Sequence, residues 1–205
     1  MTEADRLAED LFEARRALRR AGRALHDDVG SVLSALGLRL QLLRMDHPQA
    51  GAALEEIAAG LDQALERVRG LSRELNGSPA ASIGLERALL QLAEERAASF
   101  PGTIQLTYSA KAALPPDAAA AMYGAVAAAL DFFVRDKTAT RVAIAARGSK
   151  NLTVRAASNG RTPWKRAEIR EQARLARPAG IVLEALTKRG TIVSLRYAAG
   201  RSAGG

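Results

Sequence analysis

The chain holds two histidines and no cysteine in 205 residues. Disulfides, thiolate chemistry and cysteine metal sites are therefore excluded. His26 lies in the segment Leu25-His26-Asp27-Asp28-Val29-Gly30-Ser31, so a carboxylate follows the ring at once. A histidine ring is largely neutral near physiological pH. An acidic neighbour can hold one ring nitrogen as the N–H donor and leave the other free as a nucleophile. His26 is the candidate nucleophile and Asp27 its candidate partner. The second histidine, in Asp46-His47-Pro48, reads as an exposed turn residue.

A long helix must carry His26. Apolar residues recur at Leu7, Leu11, Ala14, Leu18, Ala21 and Leu25, then at Val29, Val32, Leu36, Leu40 and Leu43. Steps of four and three are the coiled-coil period. The pattern predicts a helix over 4–45, about 60 Å long at 1.5 Å per residue. It ends where Pro48 disfavours helix in the residue before it. His26 follows a seam residue and so stands at the edge of the apolar stripe. A second helix is expected over 52–75, with Leu54, Ile57, Leu61, Leu65, Val68, Leu71 and Leu75 on one face. Asn76-Gly77-Ser78-Pro79 stops it. An antiparallel hairpin of this kind leaves a broad apolar face uncovered. Two copies are expected to pair into a four-helix bundle, making the chain a homodimer.

From Ser82 onward the pattern turns to mixed helix and strand. Helices are expected over 84–99, 116–134 and 164–176, and strands over 103–108, 140–147, 151–157, 181–187 and 191–197. Turns fall at Ser158-Asn159-Gly160 and Lys188-Arg189-Gly190. The expected class is α+β: a helical hairpin over 1–78, an α/β sandwich over 79–198 with a largely antiparallel sheet, and a Gly-rich disordered tail over 199–205.

The segment Ala24-Leu25-His26-Asp27-Asp28-Val29-Gly30, followed by Leu33, Leu36, Leu38, Leu40 and Leu43, resembles the H-box helix of NarL/DesK-type sensor histidine kinases. The resemblance implies that His26 is a phosphoacceptor and Asp27 its base or orienting partner. It also implies that Arg23, Val29, Gly30 and Ser31 lie where a partner protein docks. The family often carries Gln five residues after the His to position water for dephosphorylation. Ser31 stands there in this chain, so phosphatase activity is not carried over.

The second half resembles the GHKL (Bergerat) ATP-binding domain that follows the hairpin in those kinases. Met122-Tyr123 through Thr140-Arg141-Val142 is similar to its N-box helix and following strand, Ser158-Asn159-Gly160-Arg161 to its nucleotide box, and Ala179-Gly180 and Gly190-Thr191 to its closing elements. The departures are chemical. Phe132 and Ala128 stand where the family has a Mg²⁺-binding Asn and a nearby Glu. Ser158 replaces the Asp that reads adenine, and Thr162 replaces a Gly. Thr162-Pro163-Trp164-Lys165 runs straight into the next helix, with no Gly-rich loop to offer N–H groups to phosphates. Metal ligand, base-reading acid and phosphate cradle are missing together, so no cofactor is expected: ATP use is lost, and any Mg²⁺ comes with a partner.

The expected function is histidine phosphotransfer between His26 and aspartates of response-regulator receiver domains. A kinase with a divergent nucleotide pocket and a non-catalytic dimeric adaptor are the alternatives. A net charge of +8 suits acidic partners. The dense run Arg15, Arg16, Arg19, Arg20 and Arg23 reads as a solvated helix face, so nucleic acid is not expected. The charged N-terminus has no signal-peptide h-region, and no uncharged apolar run reaches the roughly 18 residues of a membrane span. A cytoplasmic bacterial protein is the expectation.

Overall fold

The computed structural model describes residues 2–187 and 190–197. The expected turn residues Lys188 and Arg189 and the expected disordered tail lie outside them. Contacts divide the chain into two compact units. One is Ala14–Gly77; the other joins the residues up to Glu13 with those from Ser78 onward.

The first unit is the expected hairpin. Helix α1 (Glu3–Ala24) runs through a five-residue π-helical turn (Leu25–Val29) into α2 (Gly30–Asp46). A short 3₁₀ turn at Pro48–Ala50 leads to α3 (Gly51–Asn76). Gly77 closes α3 in the left-handed conformation, φ 60°, which a residue without Cβ adopts at no steric cost. The helices approach closely at Gly22. A Cβ there would stand 3.0 Å from Leu75 Cβ, and Ser72 Oγ donates a 2.8 Å hydrogen bond to the Gly22 carbonyl. At the other end Gly37 faces Leu61. Much of the apolar stripe finds no cover in this unit: Val32 is 58% exposed and Ile57 57%, and Leu36, Leu43 and Leu71 are exposed too. Of the basic run, Arg19 departs from the expected solvated face, being buried and partnered.

In the second unit, the start of α1 is held by a reciprocal cap. Asp5 Oδ2 accepts from Thr2 N at 2.9 Å and from Thr2 Oγ1 at 2.7 Å, while Asp5 N donates to Thr2 Oγ1 at 3.2 Å. Arg174 adds a 3.2 Å ion pair to Asp5. Helices α4 (Pro79–Ile83) and α5 (Leu85–Ala97) precede strand β1 (Thr103–Tyr108) and the long α6 (Pro116–Arg135). Strands β2 (Arg141–Arg147) and β3 (Leu152–Ser158), helix α7 (Arg166–Ala176), and strands β4 (Ile181–Thr187) and β5 (Thr191–Tyr197) complete it. The sheet order is β1-β2-β3-β5-β4. Among the described strands only β1 and β2 pair in parallel, and α6 makes the crossover that a parallel pair requires. The short α4 was not foreseen, because five residues give no periodicity to read.

One face of the sheet makes the core. Val142, Ile144, Leu152, Val154, Val193 and Leu195 point from it toward Leu89, Met122, Val126, Leu130 and Phe133 of the helices. By length and apolar composition α6 could cross a membrane, but its Met122, Val126, Leu130 and Phe133 are fully buried in this core. Its uncharged run, Ala118–Leu130, is bounded by Asp117 and Asp131.

Candidate functional site

The π turn coincides with the candidate histidine. Gly30 N–H donates to the Leu25 carbonyl, five residues back instead of four. None of Leu25–Val29 is buried, and His26, Asp27 and Asp28 are all exposed. Such turns widen a helix locally and recur at functional positions. Neither His26 nor Asp27 has a hydrogen-bond or ion-pair partner among the described residues. Consecutive helical residues do not face each other, and Asp27 does not bond the imidazole in this state. Both groups instead meet solvent side by side.

The expected docking residues surround them. Arg23 is half-buried, with Nη1 shielded and unpartnered; Gly30 is half-buried; Val29 and Ser31 are exposed. Ser31 Oγ donates to the Asp28 carbonyl at 3.0 Å, and Ser34 Oγ to the Gly30 carbonyl at 2.8 Å, so both hydroxyls are turned back on their own helix. The Gly22–Ser72 contact lies one turn before His26 and fixes the π turn against α3. Sequence reasoning missed that contact; a Gly inside a helical run was its only signal. His47 is exposed at the hairpin tip, as expected.

In the second unit, the segments compared with a nucleotide box are consumed by internal bonds. Asn159 Oδ1 accepts from Thr140 N at 3.0 Å and Arg141 N at 2.9 Å, and its Nδ2 donates to Thr140 Oγ1 at 2.9 Å. Ser158 Oγ accepts from Gly160 N at 3.1 Å. Asp136, at the end of α6, is the hub. Its Oδ1 accepts from Thr138 N at 2.9 Å, Thr138 Oγ1 at 2.7 Å and Thr162 Oγ1 at 2.9 Å, and its Oδ2 from Thr162 N at 3.0 Å. Burial pushes the Asp136 carboxyl up, but these four hydrogen bonds outweigh it and hold it below the ordinary carboxylate range. Gly160 lies so close that any Cβ would collide with this carboxylate. Above Phe132 lies Trp164, only 5% exposed, their rings 5.6 Å apart and 16° from parallel. An aromatic stack thus occupies the flank of α6 beside Ala128. No cluster of three or more metal-capable side chains occurs among the described residues.

Residues 17–81 match the family model HisKA_3, described as histidine kinase. No curated protein matches. Among solved structures, the blue-light activated histidine kinase of Erythrobacter litoralis EL346 is 17% identical with a TM-score of 0.45, over 83% of this chain and 61% of that one. The histidine kinase domain of the same protein is 18% identical with a TM-score of 0.44, over 83% and 94% of the two chains. Histidine kinase AdeS of Acinetobacter baumannii is 10% identical with a TM-score of 0.43, over 80% and 96%. This chain therefore spans less than two thirds of the first of these proteins. The match to the family model contains the whole His26 segment and ends beyond α3. The hairpin that carries His26 is a domain of the histidine kinase type, resembling the NarL/DesK kinases.

Proposed function

We propose that this protein is a dimeric histidine phosphotransferase that exchanges phosphate between His26 and aspartates of receiver domains, without using ATP. The observation that carries the reading is the pairing of an exposed, unencumbered His26 with a Phe132–Trp164 stack where an ATP-using relative would hold its metal ligand. The unprotonated ring nitrogen attacks the phosphorus of an aspartyl phosphate. The N–P bond forms as the P–O bond breaks, and the receiver's carboxylate leaves with the bonding pair. The other ring nitrogen then sheds its proton to Asp27 or to water. The reverse step returns the phosphoryl group to a second receiver. Mg²⁺ belongs to the receiver's acidic pocket, and the positive net charge of this chain favours that encounter.

Apolar exposure along α2 and α3 supports a homodimer, because patches of this extent mark an interaction surface. The test combines two measurements on the folded protein: calorimetric titration with Mg·ATP, and transfer of labelled phosphate from a phosphorylated receiver. The expected result is no ATP binding and labelling that His26→Ala abolishes. ATP binding together with autophosphorylation restores the kinase reading. A His26→Ala protein that relays like wild type leaves only the adaptor. Trp164→Ala separates a blocked pocket from a lost one. It costs about 3 kcal/mol of stability, and ATP remains unbound because no ligand for its metal reappears.

A further inference from the structure

In the second unit one sheet face has no helix over it among the described residues. Alternation along β2, β3 and β5 sends Arg147, Arg155 and Arg196 to that face, opposite the core residues. Arg155 lies between Ala145 and Ser194 on the neighbouring strands, and Thr153 between Arg147 and Arg196. The small side chains leave a shallow concavity walled by the guanidinium groups, with the Thr153 and Ser194 hydroxyls in its floor. Arg147 and Arg196 are both diagonal neighbours of Arg155, about 7–8 Å apart by sheet geometry. Like charges so placed repel. Glu184 neutralises Arg196 through a 2.9 Å ion pair. Arg147 and Arg155 have no such partner among the described residues.

We propose that this face binds an extended acidic segment of a partner protein, with carboxylates at alternate residues. Alternate side chains of an extended strand lie about 7 Å apart, which matches the diagonal arginine spacing. Each guanidinium can take a carboxylate through two parallel N–H bonds. The occupant is a protein and not a nucleic acid because the concavity is lined only by Arg, Thr, Ser, Ala and Glu: no aromatic ring is there to stack a base. The proposal is independent of phosphotransfer at His26, which lies in the other compact unit.

The test is fluorescence anisotropy of the full chain with a labelled peptide of alternating Glu and Thr, at physiological salt. A single-stranded oligonucleotide of equal charge serves as the rival. The wild type is expected to bind the peptide, and Arg147→Glu/Arg155→Glu to weaken it about tenfold or more. The pair Arg166→Glu/Arg170→Glu on α7 makes the same change in net charge and is expected to weaken it about threefold at most. Equal losses in the two variants overturn the proposal, since net charge alone then explains binding. Absence of peptide binding by the folded wild type also overturns it. So does tighter binding of the oligonucleotide, lost with the same arginines. Should the charge reversal unfold the domain by circular dichroism, Arg147→Gln/Arg155→Gln is judged by the same criterion.

Discussion

His26 and Asp136 place ionisable groups in opposite circumstances. The imidazole is exposed and unpartnered. Its replacement therefore removes chemistry and leaves the fold intact: His26→Ala is expected to lose all phosphate transfer while changing unfolding free energy by no more than about 0.5 kcal/mol. Asp27→Asn keeps the shape but cannot take a proton. Its transfer rate is expected to fall about a hundredfold, the lower end for a general base; a rate within twofold of wild type removes Asp27 from the mechanism. Asp136 is only 7% exposed and tied to Thr138 and Thr162. Asp136→Ala leaves four donors without their acceptor and is expected to cost about 2–3 kcal/mol in chemical denaturation. Its carboxyl titrates below the ordinary 3.8 when folded, so its contribution is present above that value and is lost as pH falls through the lower, folded one. Asp5 follows the same sign. The hydrogen bonds from Thr2, with help from Arg174, bring it to about 2. Midpoints of thermal unfolding should drop steeply between pH 4 and 2. In Asp136→Ala this acid-dependent part should shrink.

At the scale of elements, the His26 turn depends on how closely α1 approaches α3. Gly22→Leu would drive a side chain into Leu75 and the Ser72 carbonyl. It should destabilise the hairpin by about 1–3 kcal/mol and slow phosphate transfer. Ser72→Ala loses only the interhelical hydrogen bond, about 1 kcal/mol; if transfer falls equally in both variants, position and not stability sets the rate. The hairpin itself was legible in the sequence. Leucine steps of four and three, Pro48 and Gly77 put the end of α2 and both ends of α3 within a residue or two of where they stand. The five strands were legible for the same reason, since alternation in segments such as Arg141–Arg147 follows directly from one buried face. The π turn was not legible. Its residues satisfy a 3.6-residue pattern as well as any neighbour, and a shift from four-residue to five-residue bonding leaves no mark on composition. The candidate histidine was read from its neighbours, but Asp136 was not. A lone acid after a helix looks like any surface residue until Thr138 and Thr162, from two separate segments, close around it.

On the scale of the whole molecule, the charge and the exposed apolar surface point to association. Val32, Leu36 and Leu43 on α2 and Ile57 and Leu71 on α3 remain exposed in a single chain. Burying one such side chain is worth about 1.5–3 kcal/mol, and a symmetric pair buries each residue twice. These five positions, each about half-exposed in one chain and counted in both, supply roughly 7–15 kcal/mol, of the same order as the cost of bringing two chains together, about 4–15 kcal/mol. The double variant Val32→Glu/Ile57→Glu puts four carboxylates into that seam. Sedimentation equilibrium should show the wild type as a dimer and this variant as a monomer. The second unit should keep its own unfolding transition, because its core of Leu89, Met122, Leu130 and Phe133 contains none of these residues. Phosphate transfer to His26 should fall in the monomer, since a hairpin without its second copy no longer holds the π turn in a rigid bundle. A wild-type chain that sediments as a monomer yet transfers phosphate at full rate would show that two helices suffice, and the exposed stripe would then need another occupant.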